Sequence, residues 1–370
     1  MKIIADKNIP FLKGVAEEFG DVEYLAGSEF TNEHIKDAEV LIIRTVAKMD
    51  EQMLHNTSVK LICTATIGYD HIDTAYCEAN GILWKNAPGC NSSSVQQYIT
   101  SALLLMAEKK GFNLVNTTIG IVGVGNVGKK VARACEALGM RVLLNDPIRE
   151  KEENSCDFVS IDIIKEEADI ITFHTPLTKD GIYKTYHLAD DNFFASLTKK
   201  PIVINSARGA IIDTEAIKSA IRTNKISGAV IDCWEKEPDI DLEYMEMVDI
   251  ATPHIAGYSA DGKANATRMS LETIARFYDL DRKPIDYINP PTPAESIIDL
   301  NKFDSSKRFV SAMLATYNPM TDFEALKSMP TTFKNLRNEY PLRREYLAYT
   351  VLNATEDERR LLNKFDFNLA

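Results

Sequence analysis

What this chain lacks narrows its reading first. No apolar run approaches the roughly 20 residues needed to span a bilayer. The opening Met1-Lys-Ile-Ile is broken by Asp6 and Lys7, so no signal-peptide core forms. No Cys-x-x-Cys pair occurs, and the six cysteines, at 63, 77, 90, 135, 156 and 233, are scattered. They read as reduced thiols and not as a disulfide frame or zinc site; no spacing of ligand residues demands a metal. Positive charge is in deficit, with 42 Lys and Arg against 54 Asp and Glu. The net charge of -12 argues against general affinity for nucleic acid or an anionic membrane. Internal repeats and low-complexity tracts are missing too. A cytoplasmic globular protein is expected, and 370 residues suit two or three domains better than one core.

Of what is present, Gly123-Val-Gly125-Asn126-Val127-Gly128 is the most informative, because it follows the apolar run Ile119-Gly-Ile-Val122 directly. A second apolar run, Val142-Leu-Leu144, ends at Asn145-Asp146, 18 residues past the last glycine. A strand, a glycine turn, a helix and an acid-tipped strand make a dinucleotide site. Gly123 permits the tight turn, Gly125 lets a pyrophosphate approach the backbone, and Gly128 lets the helix lie close to its strand. Unpaired N–H groups at the helix start, with the helix dipole behind them, attract the pyrophosphate. The Asp146 carboxylate can accept from both adenosine ribose hydroxyls and repels a 2′-phosphate. NAD is therefore expected over NADP.

Apolar runs of strand length occur at Ile3–Ala5, Val40–Ile43, Leu61–Cys63 and Ile82–Trp84, then at 118–122, 141–145, 169–173, 201–205, 228–232 and 248–252. Ser92-Ser-Ser94 offers N-caps for a helix to Lys110 that leaves little polar face and should be buried. Helices are also predicted from Asp213 to about Asn224 and from Ser259 to Tyr278. Asn289-Pro-Pro-Thr-Pro marks a linker. Beyond it the chain reads as α+β: a helix over Lys307–Tyr317, a strand over Tyr346–Val351 and a capping box at Thr355-Glu-Asp-Glu358.

Polar residues follow the predicted strands at their carboxyl ends, where open α/β sheets bind ligands. Thr175, Ser206-Ala207-Arg208, Asp232, Glu237 and His254 form this series. Hydride removal at a 2-hydroxy acid carbon needs a base near neutral pKa, which His254 can supply. Its imidazolium form needs a nearby anion, for which Glu237 is placed. Arg208 offers the planar donor pair that a substrate carboxylate requires. His34, His55 and His187 read as surface residues, His71 and His174 as structural ones.

These stretches resemble the D-2-hydroxyacid dehydrogenases, on Asn205-Ser-Ala-Arg-Gly-Ala210, Asp232-Cys-Trp-Glu-Lys-Glu-Pro238 and Thr252-Pro-His-Ile-Ala-Gly257. Asp6-Lys-Asn-Ile-Pro10, Ala65–His71, Ala87-Pro-Gly-Cys-Asn91 and the tail Phe333–Tyr340 with Arg343-Arg-Glu345 narrow it to members that act on a phosphorylated 2-hydroxy acid. The resemblance implies two doubly wound parallel-sheet domains, a Rossmann-type NAD domain over 95–257 and a flavodoxin-like substrate domain over 1–94 and 258–288. A C-terminal α+β domain over 289–370 would form a homodimer. It implies that Arg208, Glu237 and His254 are catalytic, and that Asp146, Thr175, Ser206, Ala207, Asp232 and Gly257 join the glycine loop in holding NAD. Thr45, Thr66 and Tyr258 would contact substrate, with threonine at 45 where serine is common. Arg44, beside Thr45 at a strand end, is the candidate for the substrate phosphate. Arg343-Arg344 reads as a solvated charge pair at a helix end, with a reach into a partner subunit's site as the alternative.

Overall fold

The computed structural model describes residues 1–370, which divide into two units: Met1–Asn91 with Ser259–Thr292, and Ser92–Tyr258 with Pro293–Ala370. No helix is long and apolar enough to cross a membrane.

The first unit is built on a parallel sheet of β1 (Lys2–Asp6), β2 (Asp21–Leu25), β3 (Val40–Ile43), β4 (Leu61–Thr64) and β5 (Leu83–Lys85), in the order β2-β1-β3-β4-β5. This is the flavodoxin-like order. Alternate residues of the central strands feed opposite cores. Ile3, Val40, Ile42 and Leu61 pack with Leu271 and Ile274 of the helix Ala260–Phe277 on one face. Ile4, Leu41, Ile43 and Ile62 pack with Ile35 and Leu54 on the other. Burial on both faces explains why these strands read as unbroken apolar runs. Edge strand β2, Asp-Val-Glu-Tyr-Leu, is half exposed and carries no such run, so sequence pattern passes over it.

In the second unit, β6 (Thr118–Val122), β7 (Arg141–Asn145), β8 (Ile170–Phe173), β9 (Ile202–Asn205), β10 (Gly228–Ile231) and β11 (Ile250–Ala251) form a parallel sheet in the order β7-β6-β8-β9-β10-β11. Phe158 extends the β7 edge by a single bridge to Leu144. The sheet runs outward both ways from β6 and β8, and the glycine loop leaves β6 at that switch point. The helix Ser92–Lys110 is buried along most of its length, including Gln97, Thr100 and Ser101. Gln97 Nε2 donates to Thr316 Oγ1 at 3.1 Å, Thr100 Oγ1 to the Gln96 carbonyl at 2.8 Å, and Ser101 Oγ to the Tyr317 carbonyl at 2.9 Å, while Gln97 Oε1 is buried without a partner.

The C-terminal segment therefore shares a core with this helix. Ile298, Met313, Val351 and Phe365 lie in one apolar cluster with Tyr98, Ala102 and Met106. Its own sheet is short, β12 (Ile297–Asp299), β13 (Thr350–Leu352) and β14 (Asn368–Leu369), all parallel. So few residues bury only a modest core alone, and packing against a buried helix supplies the rest. The strand predicted over Tyr346–Val351 is a 3₁₀ turn at Tyr346–Ala348 followed by β13. The capping box forms as predicted, with Thr355 and Glu358 closing the start of helix Glu356–Asn363.

Candidate active site

The glycine loop has the geometry of a dinucleotide cradle. Gly123 sits at φ +91°, and a Cβ there would lie 2.8 Å from the Thr175 backbone nitrogen. A Cβ on Gly128 would stand 2.1 Å from the Gly123 carbonyl oxygen, which is no contact at all but overlap. Gly125 is the N-cap of helix Asn126–Ala137 and gives it no side-chain hydrogen bond. Nothing lies within 4 Å of where its Cβ would be, so the N–H groups of Asn126 and Val127 start a helix that faces open space. The hydroxyls of Thr175 and Ser206 are buried without a partner. Orphaned donors of that kind around an uncapped helix start fit a bound NAD.

Asp146 stands at the tip of β7. Its Oδ2 accepts from the Val124 N–H at 2.9 Å, and its Oδ1 caps the following helix through the Arg149 N–H at 3.1 Å. Each oxygen keeps a lone pair for a ribose hydroxyl. Arg149 is held by Glu153 through two hydrogen bonds, at 2.7 and 2.8 Å.

The three proposed catalytic side chains leave adjacent strand ends of this same sheet. Arg208 follows β9. Asn205 shapes its loop, accepting from the Ala207 N–H at 3.1 Å and donating to the Arg208 carbonyl at 2.9 Å. Glu237 follows β10, and its Oε1 accepts from the Trp234 N–H at 2.8 Å. His254 follows β11, and its Nδ1 meets Glu237 Oε2 at 2.7 Å. Burial works against charge on Glu237, but His254, the Trp234 N–H and Arg337 outweigh it and hold the carboxyl below its usual range. Cys233 also brings a ligand atom within 4.8 Å of those of Glu237 and His254. A carboxylate hydrogen-bonded to an imidazole Nδ1 at 2.7 Å is an arrangement that can work as an acid/base pair.

His254 has φ +58°, in the left-handed region that a side-chain-bearing residue seldom occupies. A two-sided clamp supports it. From one side, buried Asp232 accepts from the N–H groups of Ile255 at 2.8 Å and Ala256 at 2.9 Å, and from Thr252 Oγ1 at 2.7 Å. From the other, Arg343 donates to the carbonyls of Ala256 at 2.6 Å, Ser94 at 3.0 Å and Ile255 at 3.3 Å. Its guanidinium lies over the Tyr317 ring, 4.2 Å from the centroid. Arg343 is thus a buried positioning residue and not a solvated one, a correction to the sequence reading. A run of two arginines gives no sign of which is solvated. Burial raises the Asp232 pKa, against the lowering effect of His254, Thr252 and the two loop N–H groups. His187 is also corrected: it is half-buried, with Nε2 2.7 Å from Glu235 and Nδ1 3.1 Å from Asp213.

Arg337, which sequence reasoning passed over, reaches the same cluster from the C-terminal segment. Its Nη1 is 3.9 Å from Glu237 Oε2, and its Nη2 donates to the Tyr258 hydroxyl at 3.2 Å. Gly257 follows the clamped residues. The remaining substrate candidates lie in the first unit. Arg44 donates to the Asn8 carbonyl at 3.1 Å, Thr45 is exposed, and Thr66 donates to the Gly68 carbonyl at 2.8 Å.

Comparison with known proteins supplies the family. Residues 93–256 match the D-isomer specific 2-hydroxyacid dehydrogenase NAD-binding domain, and residues 290–365 match a domain of unknown function. Erythronate-4-phosphate dehydrogenase of Bacteroides fragilis is 53% identical over 95% of this chain and 99% of its own length. The chain belongs to the erythronate-4-phosphate dehydrogenase family. Another member, from Escherichia coli, is 38% identical over 100% of the chain and 98% of its own. Among solved structures, D-lactate dehydrogenase from Aquifex aeolicus, complexed with NAD and lactic acid, matches with TM-score 0.59 and 25% identity. That match covers 79% of this chain and 100% of the other. The family places this chain among the NAD-dependent oxidoreductases.

Proposed function

We propose that this chain oxidises 4-phospho-D-erythronate to 2-oxo-3-hydroxy-4-phosphobutanoate, forming NADH, in the biosynthesis of pyridoxal phosphate. The single observation that carries the chemistry is the 2.7 Å His254–Glu237 hydrogen bond at the strand ends of the sheet that bears the glycine loop. NAD, when bound, supplies the hydride acceptor. Gly123, Gly125, Asn126, Val127, Gly128, Asp146, Thr175, Ser206, Ala207, Asp232 and Gly257 would hold it. His254 takes the hydroxyl proton as the C2–H bond breaks and the C2–O bond becomes a carbonyl. Glu237 orients the ring and stabilises the imidazolium that results. Arg208 holds the substrate carboxylate and polarises the forming carbonyl oxygen; such a preorganised donor is worth about 3–4 kcal/mol of barrier. Tyr258, Thr45 and Thr66 would contact substrate, and Arg44 its phosphate.

In this reading 1–94 and 258–288 serve the substrate, 95–257 serve NAD, and 289–370 form a homodimer contact in the cytoplasm. Exposed Ile297, Met329, Leu342 and Leu347, all in the C-terminal segment, support that contact. The test is NADH formation from 4-phospho-D-erythronate beside 3-phosphoglycerate, D-glycerate and D-lactate, with a 2-oxo acid present in parallel to recycle tightly held cofactor. Preference for 4-phosphoerythronate by kcat/KM, lost in His254→Ala, is the expected result. Preference for another acid keeps the chemistry and overturns the substrate. No turnover by folded protein overturns the enzyme reading in favour of an NAD-sensing module.

A further inference from the structure

The geometry points to Arg337 as a specificity residue that binds the phosphate of the substrate, reaching the reaction centre from the C-terminal segment. This rests on the reading of the substrate as a phosphorylated 2-hydroxy acid. Such a molecule carries a carboxylate and a phosphate, close to three negative charges, into a protein of net charge -12. Cations must be brought to it locally: Arg208 answers the carboxylate, and Arg337 would share the phosphate with Arg44, the candidate named above.

Arg337 has the features of a cation waiting for an anion. Its guanidinium lies over the Tyr258 ring, with Cζ 5.6 Å from the centroid, and over Phe333 at 6.0 Å. These two rings fix its plane. Its Nε is buried and has no acceptor, a costly state for a charged donor that an incoming oxyanion would relieve. The plain alternative is a salt bridge that exists to hold Glu237, and the distances weigh against it. Both Glu237 oxygens are already engaged, Oε1 by the Trp234 N–H and Oε2 by His254, whereas Arg337 stays 3.9 Å away without a hydrogen bond. Glu237 does not need Arg337 for its position. A forked guanidinium with free N–H groups suits phosphate oxygens, which it can meet in pairs. Its one hydrogen-bonded neighbour, Tyr258, is itself a proposed substrate contact.

The test is a ratio, so it does not depend on the fraction of active protein. For wild type, Arg337→Ala, Arg337→Met and Arg337→Lys, preference is measured between 4-phospho-D-erythronate and D-erythronate, and between 3-phosphoglycerate and D-glycerate. It is read as kcat/KM where turnover is measurable, and otherwise as inhibition constants against the residual reaction. The expected result is a preference for the phosphorylated member that falls about 10- to 100-fold in the Ala and Met variants, mainly through KM, and recovers partly in Lys. The acid limb of the pH–rate profile should move only slightly, since Arg337 contributes less than His254 and the Trp234 N–H to holding Glu237 down. Equal losses for both members of a pair, or an acid limb displaced by about a full pH unit, would mean that Arg337 acts through Glu237 and would overturn the inference. Wild type with no preference for phosphorylated acids overturns the substrate reading and this inference together; wild-type preference retained in the variants overturns the inference alone.

Discussion

The two large sheets are near copies in architecture and opposites in what they leave open. Both are parallel, doubly wound and buried on their two faces. In the first unit the short helices are closed by side chains. Thr31 accepts from His34 N, Asp50 from Met53 N, and Asp73 from Tyr76 N. In the second, the helix after β6 begins at Gly125 with no side-chain cap. A capped start has given one of its N–H donors to a side chain, which at Asp50 and Asp73 also brings a negative charge; an uncapped one can take a phosphate. The fold supplies helix N-termini in both units, and the residue at one position decides whether each binds a ligand or only itself.

Loop anchoring differs in the same way. Arg44 of the first unit donates to one carbonyl from a partly exposed position. Arg343 of the second is buried and donates to three carbonyls on two segments, those of Ser94, Ile255 and Ala256. Replacing Arg343 by Met should therefore break the clamp on His254. We expect kcat to fall by 100-fold or more and stability by about 3 kcal/mol, since several buried carbonyls lose their donor at once. Arg44→Ala should cost less than about 1 kcal/mol of stability. Urea denaturation of both variants, beside kcat, checks the contrast; similar costs would show that the clamp carries no special weight.

Glycines offer a second contrast. An alanine methyl at Gly128 would overlap the Gly123 carbonyl, whereas at Gly81 of the first unit, φ +69°, nothing lies within 4 Å. Gly128→Ala should weaken NADH binding, read by fluorescence titration, at least 100-fold or prevent folding. Gly81→Ala should leave NADH binding alone and cost about 1 kcal/mol from its left-handed backbone. If Gly81→Ala damaged cofactor binding as severely, the loop's closeness would not be the reason.

A smaller effect concerns pH. Burial pushes His174 of the second unit down to about 3, and its Nε2 lies 3.0 Å from Thr172 Oγ1. The unfolded chain takes up a proton near pH 6.5 that the folded protein refuses until about pH 3. This histidine's contribution is thus fully present above about pH 6.5 and is lost as pH falls, by about 1 kcal/mol per pH unit. In the first unit burial also lowers His71, though Asp70 opposes it. Melting curves from pH 7 to pH 4 should be flattened more by His174→Asn than by His71→Asn; a steeper curve for His174→Asn would reverse the sign argued here. Asp73→Ala should remove one cap at about 1 kcal/mol without touching NADH affinity. A change in affinity would mean the first unit's caps serve more than their own helices.

Legibility in the sequence followed burial and distance along the chain. The strands 118–122 and 202–205 fall where apolar runs predict them. A strand covered on both faces must be apolar throughout, and that is visible without a structure. Half-exposed β2, and β14 with only two residues, had no such signature. Of the functional groups, those on short strand-end motifs were legible because each motif is local: the glycine loop, Arg208, Glu237 and His254. His187 was misplaced because its two carboxylate partners lie at 213 and 235, beyond any local pattern.

Local stretches of sequence were enough for the two parallel sheets, the glycine loop with its acid at Asp146, and the proposed acid/base and carboxylate-binding residues, because each is written in a contiguous run of periodic or motif residues. What holds His254 in its left-handed conformation, and which arginine stands beside it, came from long-range packing instead. Arg343 reaches the Ala256 carbonyl across 87 residues of chain, and Arg337 the Tyr258 hydroxyl across 79. Such pairings depend on where the C-terminal segment packs against the buried helix Ser92–Lys110. That packing is settled by shape and burial over the whole core, which no local stretch of sequence contains.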